Sequence, residues 1–257
     1  MAHNHDNSAS AGSGNPWDSW PVIARESVRQ LGFWMTVRYL LIYFLSYKPV
    51  NDRSYDRRHQ TDTAGLIPTR SLDIDDEYTR WQANLFLGSP ARITRYMIEA
   101  LTVDAGLDPG EFTFVDYGSG KGRSTLVAAE YGFREAVGVE ISAELTAIAG
   151  RNLQTLHQKG ALSAPVRFVC ADARQFELPD GDLILHMYHP FGQDILREVL
   201  LAIRAAAGNG RRVIVPYLFS VAMAKAVFHE IPEFRRVREV FCVNPQYRWT
   251  VYELVTD

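Results

Sequence analysis

Phe112-Thr113-Phe114-Val115-Asp116-Tyr117-Gly118-Ser119-Gly120-Lys121-Gly122-Arg123-Ser124 is the stretch whose reading decides the fold. It reads as a buried strand, an acid at the strand's carboxyl end, a glycine loop and a helix opening near Lys121. In open α/β sheets, turns of this kind lie at the carboxyl ends of the strands, where ligands bind. Glycine suits a chain that must adopt positive φ or let a ligand approach its backbone. The free N–H groups at the start of the helix suit an anionic group such as a ligand carboxylate. Spacing separates the nucleotide-binding alternatives. A phosphate-binding P-loop fails because Gly122, not Ser or Thr, follows Lys121. The dinucleotide pattern is weakened because Arg123 stands where its third glycine would be.

Working outward, Ala136-Val137-Gly138-Val139 is a second short apolar run that ends at Glu140. Glu140 follows Gly122 by 18 positions, close to the separation of about 20 expected for an acid that grips a ribose diol. The alternative is an exposed carboxylate at a strand end. Val166 to Cys170 reads as a third strand, followed by Asp172, which also reads as a helix N-cap. Leu183 to Met187 is a fourth strand and leads into Tyr188-His189-Pro190-Phe191-Gly192. A helical pattern from Asp194 to Ala207 precedes a fifth strand, Arg212 to Leu218, and a further helix over about 220–230. Two β-rich runs, Val237 to Val243 and Tyr247 to Val255, flank the turn Asn244-Pro245-Gln246.

The pattern Asp116-x-Gly118-x-Gly120-x-Gly122 resembles motif I of the class I, seven-strand S-adenosylmethionine (SAM) dependent methyltransferases, and the order of elements from Phe112 to Val255 is similar to theirs. The resemblance implies an α/β fold. Its sheet would have seven strands, mostly parallel, with an antiparallel C-terminal hairpin strand and helices on both faces, after an N-terminal helical extension. It implies SAM as cofactor. Gly118, Ser119, Gly120 and Gly122 would lie against its methionine part, and Asp116 would bind its ammonium directly or through water. Glu140 would hold the ribose, and Asp172 would face the adenine. On the acceptor side, His189 and Tyr188 read as catalytic, with Pro190 and Phe191 shaping the substrate mouth.

One departure from the family bears on the acceptor. Many members that methylate nitrogen carry Asn where this chain has His189. A neutral imidazole can accept a proton or orient a nucleophile, so nitrogen and oxygen both remain open as the acceptor atom. A His that only caps the strand end is the plainer alternative. His186, inside the strand, reads as structural. The expected reaction is direct in-line displacement, governed by positioning and desolvation of the acceptor. Two rivals stand beside it: a non-catalytic SAM-fold module acting at a membrane or on a partner, and an NAD-type oxidoreductase.

Composition agrees with one such domain plus an extension. The chain has 257 residues, 47% of them hydrophobic, and a formal net charge of −3; it can bury a full core, and nothing indicates nucleic acid as a partner. Cys170 and Cys242 fall in expected strands and read as reduced core thiols in a cytoplasmic setting. No metal-ligand spacing is found in the catalytic half. The expected organisation is a disordered tail over 1–16, a helical extension and lid over 17–88, and the methyltransferase domain over 89–257.

Leu31 to Leu45 is apolar and aromatic with Arg38 at its middle, too short for a confident membrane span. It is expected to pack on the core, with peripheral membrane contact as the minority alternative. The charged stretch Asp56-Arg57-Arg58, followed by Asp62-Thr63, is similar to segments that precede this domain in uncharacterised bacterial members. It reads as a lid over the substrate or a solvated linker. Ser89-Pro90 reads as an N-cap and first helical position. Tyr78, Trp81 and Phe86 read as core aromatics, or as part of the cofactor site's lining.

Overall fold

In the computed structural model, the described residues are 53–84, 86–208, 210–218, 222–241 and 247–255, with Val28, Phe33, Trp34 and Val37. The chain divides into two compact units, Met1–Lys48 and Pro49–Asp257. In the first, the four described residues are helical; Phe33 and Trp34 are exposed, their rings edge to face with centroids 5.4 Å apart. The tail over 1–16, and the rest of 31–45 with its expected packing or membrane contact, lie outside the described residues. Among the described residues no helix is long and apolar enough to cross a membrane.

The second unit begins with α1 (Ser54–His59), β1 (Leu66–Ile67), α2 (Glu77–Gln82), β2 (Phe86–Leu87) and α3 (Ala91–Thr102). Then follow β3 (Phe112–Tyr117), α4 (Arg123–Ala128), β4 (Glu135–Glu140), α5 (Ala143–Gln158) and β5 (Val166–Cys170). The chain continues through β6 (Asp182–Tyr188), α6 (Gln193–Ala207), β7 (Val213–Leu218), α7 (Ala222–Glu230), β8 (Phe234–Phe241) and β9 (Arg248–Leu254). Seven strands form one sheet in the order β5-β4-β3-β6-β7-β9-β8. The pairs from β5 to β7 are parallel, whereas β9 runs antiparallel to both β7 and β8.

Sequence dictates this arrangement directly. Every residue of β3 is buried, as expected of a central parallel strand covered on both faces. Phe114 faces a core layer that takes in Ile93, Met97 and Ile98 of α3 and Leu126 of α4. Val115 and Tyr117 face the other layer, with Leu196, Val199 and Ile203 of α6 and Phe228 of α7. Chain order runs outward from β3 through β4 to β5, and in the opposite direction through β6 to β7. The glycine loop after β3 therefore sits where the strand order reverses, the place at which open α/β sheets form a crevice.

Several boundaries differ from expectation. Pro90, in extended conformation, occupies the N-cap position of α3, and Ser89 does not cap it; the Ser89 hydroxyl instead lies 2.8 Å from that of Ser124. Helix α4 opens at Arg123 rather than near Lys121, because Gly122 takes a left-handed conformation (φ 88°) as its N-cap. Strand β8 starts three residues before the apolar run suggests. Arg235 and Arg236 hide its alternation, and a bulge interrupts it between Arg236 and Arg238; charges and bulges are usual on an edge strand. Cys170 is exposed, not a core thiol, because β5 is the opposite edge strand and only half covered. Cys242 lies outside the described residues.

Candidate functional site

The loop from Gly118 to Gly122 hooks onto the neighbouring strand. The N–H groups of Gly118 and Ser119 both donate to the Val139 carbonyl, at 2.9 and 3.0 Å. Glu140, at the end of β4, takes the Gly120 N–H on one carboxylate oxygen at 2.8 Å and the Ser142 N–H on the other at 2.9 Å. Burial pushes the Glu140 carboxyl above the usual carboxylate range, and these two N–H groups counter it. Glycine is obligatory here for a second reason. A Cβ on Gly118 would fall 2.6 Å from Pro190, one on Gly122 would fall 2.5 Å from Phe168, and one on Gly120 would collide with the Phe86 ring. The Ser119 hydroxyl is buried and makes no hydrogen bond to a described residue.

Asp116 sits beneath this loop, buried at the end of β3. One carboxylate oxygen lies 2.6 Å from Nδ1 of His186, and the other accepts from the Thr125 hydroxyl at 2.9 Å. Two of its lone-pair directions are thus taken by protein groups. His186 is fully buried beside Phe114 and Trp249, as its position inside a strand suggests. Asp172, just past β5, caps a short helical turn by accepting the Arg174 N–H at 2.9 Å, and it pairs with the Arg174 guanidinium at 2.5 Å. The hydrogen bond from Arg174 holds its carboxyl below the usual range.

Residues 56–64 are built into the site, which the sequence alone left between lid and linker. Asp56 gathers that stretch: its carboxylate accepts from the N–H and hydroxyl of Thr63, the Thr61 hydroxyl and the Ala64 N–H. Arg123, on the first turn of α4 and buried, donates to Asp56, to the Thr63 hydroxyl and to the Ser89 carbonyl. Lys121, inside the glycine loop, pairs with Asp62 at 2.8 Å and donates to the Ala64 carbonyl. Asn152 of α5 closes the arrangement by bridging Asp62 and Lys121 through their backbones. The sequence signal was the charge match between Asp56 and Asp62 on one stretch and Lys121 and Arg123 on the other, but only contact reveals it.

The loop after β6 meets the end of α2. The Asn84 side chain donates to the His189 carbonyl at 2.7 Å, and the Asn84 N–H donates to the Pro190 carbonyl. Phe191 pairs with Ala83 across an antiparallel bridge, and the Gly192 N–H donates to the Gln82 carbonyl at 2.6 Å. His189 is left-handed, with φ of 42°, an unusual conformation for a residue with a side chain. Its Nδ1 lies 2.8 Å from the hydroxyl of Tyr217, a fully buried residue of β7. Burial lowers the His189 pKa to about 4. Tyr188, His189, Pro190 and Phe191 are all half-buried. The carboxyl ends of β3, β4, β5 and β6 thus carry Asp116, Glu140, Asp172 and His189 respectively. Of the aromatics ahead of the domain, Phe86 packs on the glycine loop, whereas Tyr78 and Trp81 are exposed rather than core.

Residues 114–210, from within β3 to the end of α6, match the family model described as a methyltransferase domain. Over those residues the chain is similar to methyltransferase domains. Several solved structures are similar to it at low identity. A mutant of MtNAS in complex with SAM is 15% identical, covering 64% of this chain and 63% of that one, with a TM-score of 0.49. Magnesium protoporphyrin IX methyltransferase from Synechocystis PCC 6803, with bound SAM, is 17% identical, covering 81% and 95%, with a TM-score of 0.46. TrmN from Thermus thermophilus is 20% identical, covering 66% and 57%, with a TM-score of 0.47. The chain spans 63% and 61% of the length of two MtNAS structures. No curated protein sequence matches it.

Proposed function

We propose that the protein transfers a methyl group from SAM to a nitrogen or oxygen of an acceptor, either a protein side chain or a small molecule. The observation that carries this reading is Glu140: a buried carboxylate at the end of β4, beside the point where strand order reverses, aimed by the N–H groups of Gly120 and Ser142. The residues present fit the cofactor. Glu140 has lone pairs left for two ribose hydroxyls. The buried Ser119 hydroxyl lacks a partner among the described residues, which suits a polar methionine group. Asp172 stands past the adjacent strand, where an adenine amino group would share it with Arg174.

When bound, the cofactor supplies an electrophilic sulfonium methyl. The chain's own residues do the rest. Gly118, Gly120 and Gly122 bring backbone to the methionine part, and Asp116 fixes the loop through His186 and Thr125. Phe86 and residues 56–64 cover the loop and exclude water, which strengthens each electrostatic contact inside. On the acceptor side, His189 and Tyr188 orient the incoming atom, and Pro190 and Phe191 form the mouth. Calorimetric titration with SAM, S-adenosylhomocysteine and NAD, on wild type and Glu140→Gln, tests the reading. Binding of the two sulfur compounds that collapses in the variant supports it; binding of NAD alone overturns it.

A further inference from the structure

The acceptor-side histidine has its protonation pattern fixed by a neighbour outside the site. Tyr217 is fully buried in β7, and the hydrogen bond of its hydroxyl among the described residues is the one with His189 Nδ1. A phenol carries a proton that must find an acceptor when buried, because an orphaned donor loses its hydration for nothing. Nδ1 is that acceptor. A neutral imidazole that accepts at Nδ1 bears its own proton on Nε2. Nε2 makes no hydrogen bond to a described residue and is not among the buried orphaned atoms, so it is the free face of the ring. The backbone commits to this placement as well. His189 holds a left-handed φ, its carbonyl clamped by Asn84 while Pro190 lies on Gly118. Strain kept in place by its surroundings is typical of a group that must be aimed.

We propose that Tyr217 is a positioning residue that locks His189 as its Nε2–H tautomer, and that the site thereby presents a hydrogen-bond donor which selects a carboxylate as methyl acceptor. This rests on the methyltransferase reading above. An alkylammonium brings only N–H donors, so Nε2–H would oppose it donor against donor, and no base would be there to take its proton. A carboxylate brings only lone pairs, and with an ordinary pKa near 4 it arrives deprotonated at neutral pH. Nε2–H can hold one carboxylate oxygen while the other attacks. In the transfer, a carboxylate lone pair forms the new O–C bond as the methyl–sulfur bond breaks, and that electron pair stays on sulfur. An anion and a sulfonium become a neutral ester and a neutral thioether, with no proton moved.

The test uses the full chain labelled with ¹⁵N-histidine and long-range proton–nitrogen NMR, with Glu140 intact and His189→Gln to assign the signal. The expected wild-type spectrum shows His189 protonated on Nε2; protonation on Nδ1 overturns the proposal. Tyr217→Phe keeps the ring and removes the lock, so a mixture of the two tautomers is expected; an unchanged pure Nε2–H signal overturns the role of Tyr217. Benzoate and benzylamine, matched in size, are then titrated into the protein loaded with S-adenosylhomocysteine. A shift of the His189 Nε2 signal with benzoate alone supports carboxylate selection. A shift with benzylamine, or none with benzoate, overturns it. Failure to bind S-adenosylhomocysteine would sink the methyltransferase reading instead, while the tautomer measurement, made without ligand, stands apart from it.

Discussion

Arg123 and Asp56 are 67 positions apart in sequence, yet Nη2 of one lies 3.3 Å from Oδ2 of the other, in a site where both side chains are largely buried. The pair joins the first helix of the compact unit to the first turn of α4, which follows the glycine loop. Removing one partner of such a pair leaves an uncompensated charge inside the protein. Asp56→Asn is therefore expected to destabilise by about 3 kcal/mol. Urea unfolding would show this as a lower midpoint with an unchanged slope. A loss below ~1 kcal/mol would mean that the pair is dispensable.

Glu140 should govern cofactor affinity and its dependence on pH. Burial raises its pKa, so it takes up a proton at higher pH than an exposed carboxylate does. Only the charged form offers full acceptor strength to ribose hydroxyls. Affinity for S-adenosylhomocysteine should therefore tighten as pH rises through the folded-state value. Glu140→Gln should weaken binding by about 3 kcal/mol, on the order of 100-fold, and flatten that pH dependence. Calorimetry at a series of pH values checks both; a variant that binds as wild type removes Glu140 from the site.

Gly120→Ala meets two obstacles. The residue has φ of 53°, and an added Cβ would strike Phe86. The conformational part costs roughly 1–2 kcal/mol for an L-residue, and the collision adds to it. Phe86→Ala in the same chain should recover the second part and leave the first. A double-mutant cycle by thermal unfolding reads the coupling, expected at about 1 kcal/mol or more. Strict additivity would contradict the packing of Phe86 on the loop.

His189 should leave a mark on acid stability. Its folded-state pKa, about 4, lies below the ordinary 6.5. As pH falls below 6.5 the unfolded chain takes up this proton first, so stability declines from there down to about pH 4. The slope can reach ~1.4 kcal/mol per pH unit for one proton. His189→Gln should show a shallower decline over the same window in denaturant titrations. An equal decline in both proteins would place the titrating group elsewhere.

The sheet was legible in the sequence because β3, β4 and β6 are short, mostly apolar runs, with β3 leading into the glycine loop and β4 ending at Glu140. The positions of Glu140, Asp172 and His189 followed from those strand ends. What the sequence concealed lies across long separations. Asp116 reads as a ligand-facing acid, yet its partners His186 and Thr125 appear only once β6 lies beside β3. Charge in β8 concealed its true start, because an edge strand carries arginines where a core strand would carry valine. The role of Tyr217 could not be read at all, since nothing in a buried strand announces which loop its hydroxyl will reach.

The stretch around Asp56 has a consequence for how the protein comes apart. Residue 88 lies inside the compact unit that runs from Pro49 to Asp257. Lys121 and Arg123 find their counterions ahead of that residue and not within the sheet's own loops. A chain started at residue 89 would have to hold two cations at the glycine loop and the start of α4 with neither carboxylate to meet them. Residues 54–88 and the sheet should then melt as one cooperative unit, with amide exchange at Thr63 and Ala64 slowed to the rate of global unfolding rather than local fraying.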